Sequence, residues 1–269
     1  MKRVLCLLLC LMLVPLSAFG ENVEDSLIVG MISTRTTEIR PLTPQERDIV
    51  SLYGVVYESL VTVDDNGLPQ PLLAESWTES GGGQTWTFTL REENWVDNNG
   101  EVVAPVTAQD FVDALQYVLT PDYASSNVGL VTAYIAGAND YYNYHVYLTN
   151  AENGTVDDDG TTYVTDGSGN VTVTAADGTA STYAPVDFDS VGVTAVDDHT
   201  LAYTLTYDFP GFLSLLCYLP YEPAYGPLLS EMGDQYATSA ETLYSCGAFY
   251  LSDYESLETW IMKKNPENY

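Results

Sequence analysis

Positive charge is the scarcest property of this chain. Its 269 residues carry eight Lys and Arg against 38 Asp and Glu, a formal net charge of −30 at pH 7. No basic stripe exists to displace counterions from a phosphate backbone, so nucleic acid is excluded as a partner. An anionic membrane surface is excluded for the same reason. Histidine is nearly as rare: His145 sits in a tyrosine-rich strip and His199 in a turn. A nucleophilic triad therefore has no base to draw on, G-x-S-x-G is absent, and no Cys stands in a catalytic setting. Zinc would need clustered His and Cys, which are missing. Gly81-Gly82-Gly83 lacks the Lys of a phosphate loop and precedes a strand, so it reads as a flexible turn. The expectation is no enzyme, no cofactor and no resident metal.

Residues 1–20 read as a secretory signal peptide, with an uncleaved anchor as the alternative. Lys2 and Arg3 open the chain, and Val4 to Leu16 is a Leu-rich run of about 13 residues, shorter than a membrane span. Ala18-Phe19-Gly20 then places small residues at a cleavage site before Glu21. Cys6 and Cys10 leave with this segment, and no lipoprotein cysteine follows the cleavage site. The expected location is exported: periplasmic, cell-surface or extracellular. Cys217 and Cys246 remain. An oxidising compartment permits a disulfide between them, the alternative being two buried thiols.

What is present suits a globular chain of mixed α and β character, with 46% hydrophobic residues and 21 tyrosines. Ser26 to Ile32 reads as a buried strand. Gln45 to Leu60 has helical spacing. Leu60 to Val63 followed by Asp64-Asp65-Asn66-Gly67 reads as strand and hairpin turn. Thr85 to Arg91 alternates cleanly as a strand. Thr107 to Leu119 is a helix capped by Thr107, with Phe111, Leu115 and Val118 on one face. Val191 to Val196 and Leu201 to Thr206 flank a turn at Asp197-Asp198-His199. Phe209 to Tyr218 reads as helical, and Phe249 to Leu251 and Glu258 to Met262 as strands.

Asn143 to Pro185 differs in composition, being rich in Thr, Gly, Asp, Asn and Val, and reads as inserted surface hairpins turning at Asp166-Gly167 and Asp177-Gly178. Thr155 to Asp166 partly imitates a calcium loop. Thr at its first position and Asp at its twelfth favour an ordinary acidic hairpin instead. Tyr141-Tyr142-Asn143-Tyr144 could stack on sugars or peptides, but packing on half-buried elements is the simpler role.

The order of segments resembles the extracytoplasmic solute-binding proteins, family 5, of peptide-type ABC transporters. The resemblance runs from about Leu42 to Tyr269. It rests on Leu42-Thr43-Pro44, Val56-Tyr57-Glu58-Ser59-Leu60-Val61, Pro71 to Trp77, Trp86-Thr87-Phe88-Thr89-Leu90-Arg91 and Val106-Thr107-Ala108-Gln109-Asp110-Phe111. Farther on come Ile135 to Ala138, Val191 to Leu201, Cys246-Gly247-Ala248-Phe249-Tyr250-Leu251 and Lys264-Asn265-Pro266. Ala74-Glu75-Ser76-Trp77, the T-W-T-F strand and the T-A-Q-D helix start carry most of it.

The resemblance implies an α/β, periplasmic-binding-protein-like (type II, family 5) lobe with mixed sheets. Residues 21–57 would form the first part of lobe I, 58–224 an extra subdomain with the hairpin insertion at about 143–187, and 225–269 the second part of lobe I. Lobe II is expected to lie outside the chain, truncated after Tyr269. The implied function is the substrate-binding component of a transporter, delivering peptides or another small solute to ABC permease subunits in the membrane. A secreted surface interaction module is the alternative. Cleft-facing positions by resemblance are Glu46, Arg47, Asp48, Ser126, Tyr218, Tyr244, Ser245, Cys246 and Gly247. Ser126 replaces an aromatic found in some members, and Cys246 replaces a common Asn, which leaves nickel chelates, sugars and opines open beside peptides.

Overall fold

A computed structural model describes residues 54–255 and 259–268. The signal-like segment, the expected Ser26–Ile32 strand and the expected Gln45–Leu60 helix up to Tyr53 lie outside them; of that helix's described part only residues 54–56 are helical, and 57–60 are not.

The framework is a four-stranded antiparallel sheet in the order β10-β11-β4-β3, built from β3 (Ala74–Ser80), β4 (Thr85–Leu90), β10 (Val193–Asp197) and β11 (Thr200–Thr204). Strand β4 is central because its alternation puts Trp86, Phe88 and Leu90 on one buried face. Cross-strand register sets Phe88 opposite Leu201 and Trp86 opposite Tyr203. The Phe88 and Tyr203 rings meet edge-on at 6.2 Å, and both are fully buried. Gly81, Gly82 and Gly83 all have positive φ, which suits the turn joining β3 to β4. Helix α1 (Ala108–Val118) packs on β10 and β11 and buries Phe111, Ala114, Leu115 and Val118. Thr107 is its N-cap, as the sequence predicts.

Smaller ribbons surround this core. A hairpin pairs β1 (Val61–Val63) with β2 (Pro69–Pro71), turning through Asp64–Gly67 as expected. Strands β5 (Asn94–Val96) and β6 (Val102–Pro105) pair, as do β12 (Phe249–Glu255) and β13 (Thr259–Lys264). All named strand pairs among the described residues are antiparallel, so the parallel pairings of a mixed sheet are not among them.

Two expectations are revised. The start of the expected hairpin region, Asn143 to Asn153, is not hairpin but helix: α3 (Ala138–Asn153), following the short α2 (Val128–Thr132). Tyr141 and Tyr144, three apart, share its buried side, and Gly154 at φ 63° ends it. The hairpins begin only afterwards, as the three-stranded sheet β7 (Thr162–Thr165), β8 (Val171–Thr174) and β9 (Ala180–Tyr183). The second revision is Phe209 to Tyr218, which contracts to the single turn α4 (Phe212–Leu215). A further helix, α5 (Gly226–Met232), follows.

Candidate functional site

The segment Tyr244–Gly247 is held from three sides. Ser245 exchanges backbone hydrogen bonds with Val96 at the end of β5, at 2.9 and 2.8 Å. The amides of Cys246 and Gly247 both donate to the Val56 carbonyl, at 3.1 and 3.0 Å. Asn265 donates through Nδ2 to the Gly247 carbonyl at 2.9 Å, and its own amide reaches Ala248. Gly247 lies so close to residues 55–57 that a Cβ would stand 2.6 Å from the Tyr57 carbonyl oxygen. Only glycine fits there.

Strand β5 is in turn fixed by a buried carboxylate. Oδ2 of Asp110 accepts from Trp95 Nε1 at 3.0 Å, from the Thr107 amide at 2.8 Å and from Thr107 Oγ1 at 3.2 Å. Its other oxygen accepts from the Gly226 amide at 3.2 Å, at the start of α5. Burial raises this carboxyl, and the donors oppose the rise. One side chain thus ties β5, α1 and α5 together. Trp95 is fully buried and continues an aromatic run from Tyr244 through Tyr225 (5.4 Å) to Trp95 (6.2 Å) and Tyr57 (6.0 Å).

Glu58, Glu93 and Glu222 are all buried. Burial pushes Glu93 up to about 7, reinforced by nearby Glu58, although the Asn94 amide bonds to it. Burial alone pushes Glu222 up to about 8. The fully buried Cys246 thiol is raised well above its ordinary value by burial and then by these three acids.

The positions named from the sequence fall on different elements. Ser245, Cys246 and Gly247 follow the half-buried Tyr244 in sequence, and all three are buried. Tyr218 is exposed just after α4, and Ser126 is exposed in the turn before α2. Glu46, Arg47 and Asp48 lie outside the described residues. The Cys217–Cys246 disulfide is not formed, and both are free thiols. Cys217 Sγ donates to the Val61 carbonyl at 3.3 Å, and the Cys246 amide donates to the Val56 carbonyl. The calcium-like loop closes as a hairpin in which Tyr163 donates to Asp157 at 2.6 Å. Among the described residues no group of His, Cys, Asp and Glu has the arrangement to hold a metal ion.

Sequence reasoning missed Asp110 as a hub, and it missed Glu93 and Glu222. Glu222 had a readable signal, being the lone charge between Asp208 and Glu231 in an otherwise apolar and uncharged stretch. Glu93 sits between Glu92 and Asn94 in a polar run, and nothing there marks it as buried.

Comparison with known proteins gives this architecture a setting. The oligopeptide-binding protein SarA of Streptococcus gordonii is 33% identical over 212 residues, covering 78% of this chain and 26% of the relative. The oligopeptide-binding protein AliB of Streptococcus pneumoniae is 32% identical over 257 residues, covering 94% of this chain and 33% of the relative. The chain thus spans about a quarter to a third of the length of these relatives. The crystal structure of an oligopeptide ABC transporter substrate-binding domain from Bacillus anthracis superposes with a TM-score of 0.65 at 26% identity, over 88% of this chain and 38% of that one. The model of the bacterial extracellular solute-binding proteins, family 5 Middle, matches residues 69–269. With that match, three-quarters of its length aligned, the chain belongs to the family 5 bacterial extracellular solute-binding proteins, which bind solutes and are not enzymes.

Proposed function

We propose that the chain is part of the substrate-binding component of a peptide-type ABC transporter, acting outside the cell membrane, and that Tyr244–Gly247 forms one wall of its ligand cleft. The observation that carries this reading is the joint sequence and fold likeness to oligopeptide-binding proteins across most of the chain. The wall has suitable chemistry. Its backbone is seated on residues 55–57 with Ser245, Cys246 and Gly247 buried, so the half-buried Tyr244 is the side chain this segment would offer a ligand, and the exposed Tyr218 offers a second aromatic face elsewhere on the chain. A peptide held largely through main-chain bonds would be read loosely in its side chains. Delivery to permease subunits would follow from the same membership.

A ligand resting on a single wall keeps much of its surface wet, so binding to this chain should be weak, around millimolar. Titration of the isotope-labelled chain with short peptides, followed by amide shifts, checks both points. Shifts centred on Tyr244–Gly247 at millimolar peptide are expected. Shifts confined to the β7–β9 sheet, or nanomolar affinity by calorimetry, would overturn the reading.

A further inference from the structure

We propose that the cavity between α1, the turn Pro121–Tyr123 and α5 is a recognition pocket for a guanidinium group, with Asp113 as its charge partner and the stacked Tyr117–Tyr123 pair as its flat wall. The cavity measures about 210 Å³. Helix α1 supplies Asp113, Gln116 and Tyr117 to its lining, the turn supplies Tyr123, and α5 supplies Leu229 and Ser230. Sites for whole drug-sized ligands span roughly 300–1,000 Å³, so this one suits a single functional group.

The walls are fixed by contacts between these elements. The Tyr117 and Tyr123 rings lie 4.0 Å apart at an interplanar angle of 11°. The Tyr117 hydroxyl donates to the Gly233 carbonyl at 3.4 Å, which ties α1 to the residue after α5. Gly226 opens α5 and lies against the carboxylate: a Cβ there would collide with Asp113 Oδ2. The missing methyl group is what admits Asp113 at this place.

Asp113 is the one charged side chain in the lining. Its partner among the described residues is the Gln109 side-chain amide, which donates to Oδ1 at 2.8 Å. Burial raises this carboxyl, and that single donor only partly opposes the rise. Asp110, one turn earlier on α1, is by contrast supplied with donors by Trp95, Thr107 and Gly226. Nor can neighbouring sequence supply a base. No Lys or Arg occurs between Arg91 and Lys263, whereas Asp122, Glu231 and Asp234 stand beside the lining residues in sequence. A cation entering the cavity therefore meets an unneutralised negative charge, partly shielded from water. A guanidinium fits better than an ammonium. Being planar, it can lie along the tyrosine wall while its N–H fork reaches the carboxylate. The Gln116 side-chain carbonyl and the Ser230 hydroxyl can accept its remaining N–H groups. No part of this argument rests on the proposed function.

Titration of the isotope-labelled 269-residue chain with Nα-acetylarginine amide, followed by amide shifts, tests the pocket. Matched titrations use the citrulline analogue, a neutral urea of the same shape, and the lysine analogue, an ammonium. The expected result is a set of shifts centred on residues 113–123 and 229–233 that saturates around millimolar arginine probe. The citrulline analogue should bind at least about tenfold more weakly, with the lysine analogue between the two. Asp113→Asn should abolish the response to the arginine probe while leaving amide shifts elsewhere in the chain unchanged. The inference is overturned by an arginine probe that leaves residues 113–123 unshifted up to about 20 mM, by a citrulline analogue that binds as well, or by an unaltered response in Asp113→Asn. Shifts centred on Tyr244–Gly247 instead would also overturn it, and would leave the proposed cleft standing. Should Asp113→Asn fail to fold, the preference of the parent chain for the arginine probe over the citrulline analogue decides alone.

Discussion

At Gly247 a missing methyl group decides whether the wall can seat. A Cβ there would lie 2.6 Å from the Tyr57 carbonyl oxygen and 2.7 Å from that of Val55. Both are backbone atoms that already accept or flank the hydrogen bonds fixing Cys246 and Gly247, so no side-chain rotation can relieve the contact. Gly247→Ala is expected to cost about 3 kcal/mol, at the upper end for overpacking, because the neighbour that must move is main chain. Urea denaturation should show the loss as a lowered midpoint at unchanged slope. A variant as stable as the parent would mean that the 55–57 turn yields freely. The resemblance pointed to Gly247 as a cleft residue, but its steric role became visible only when residues 55–57 and 247, far apart in sequence, came together.

Elements were legible in proportion to how locally they are determined. Strand β4 and the hairpins at Asp64–Gly67 and Asp197–His199 were readable because alternation and turn residues act over a few positions. Helix α1 was readable because its cap and apolar face coincide. Strand β3 escaped notice, as most of its residues are exposed or half-buried and an edge strand of this kind shows no alternation. Helix α3 was misread past Tyr142 because its Asn, Thr and Tyr residues are poor helix formers. Its stability comes from tertiary contacts: Tyr141 meets Phe188 at 5.3 Å and Tyr144 donates to the Gly169 carbonyl at 2.9 Å. The sheet β7–β9 leans on the far part of this helix, through Tyr147 against Tyr183 (4.8 Å) and Tyr163 (5.9 Å). Val171 is its one buried strand residue, and it stands apart from the main core cluster. Replacing residues 156–184 by a short Gly/Ser link should therefore leave a single cooperative unfolding transition, with a loss below about 3 kcal/mol. Loss of cooperativity would show instead that the sheet is integral to the core.

Across the whole molecule, two kinds of carboxyl pull stability in opposite directions with pH. Asp64, Asp159, Asp166, Asp177 and Asp197 stand at turns, all but the half-buried Asp64 exposed, and their carboxyls are held below the ordinary range by hydrogen bonds from nearby backbone and side chains. Their contribution is present above the unfolded value and is lost as pH falls through the depressed folded value. Glu93 and Glu222 behave inversely: raised to about 7 and about 8, they contribute stability that is full near pH 4 and drains away as pH climbs to those values. Mutual repulsion in a chain of net charge −30 adds to the decline on the alkaline side. The melting temperature should accordingly peak near pH 5 and fall towards pH 8. Salt separates the two causes of that fall, because about 0.5 M NaCl screens surface repulsion but hardly reaches a buried group. Glu222→Met removes the buried ionisation while keeping an unbranched side chain of similar length. At pH 8 it should raise the midpoint by roughly 4–8 °C, the equivalent of about 2 kcal/mol for a chain of this size, and do so equally with and without added salt. If salt alone restores the whole alkaline loss, or if Glu222→Met leaves it intact, the buried acids are not what limits this fold above neutrality.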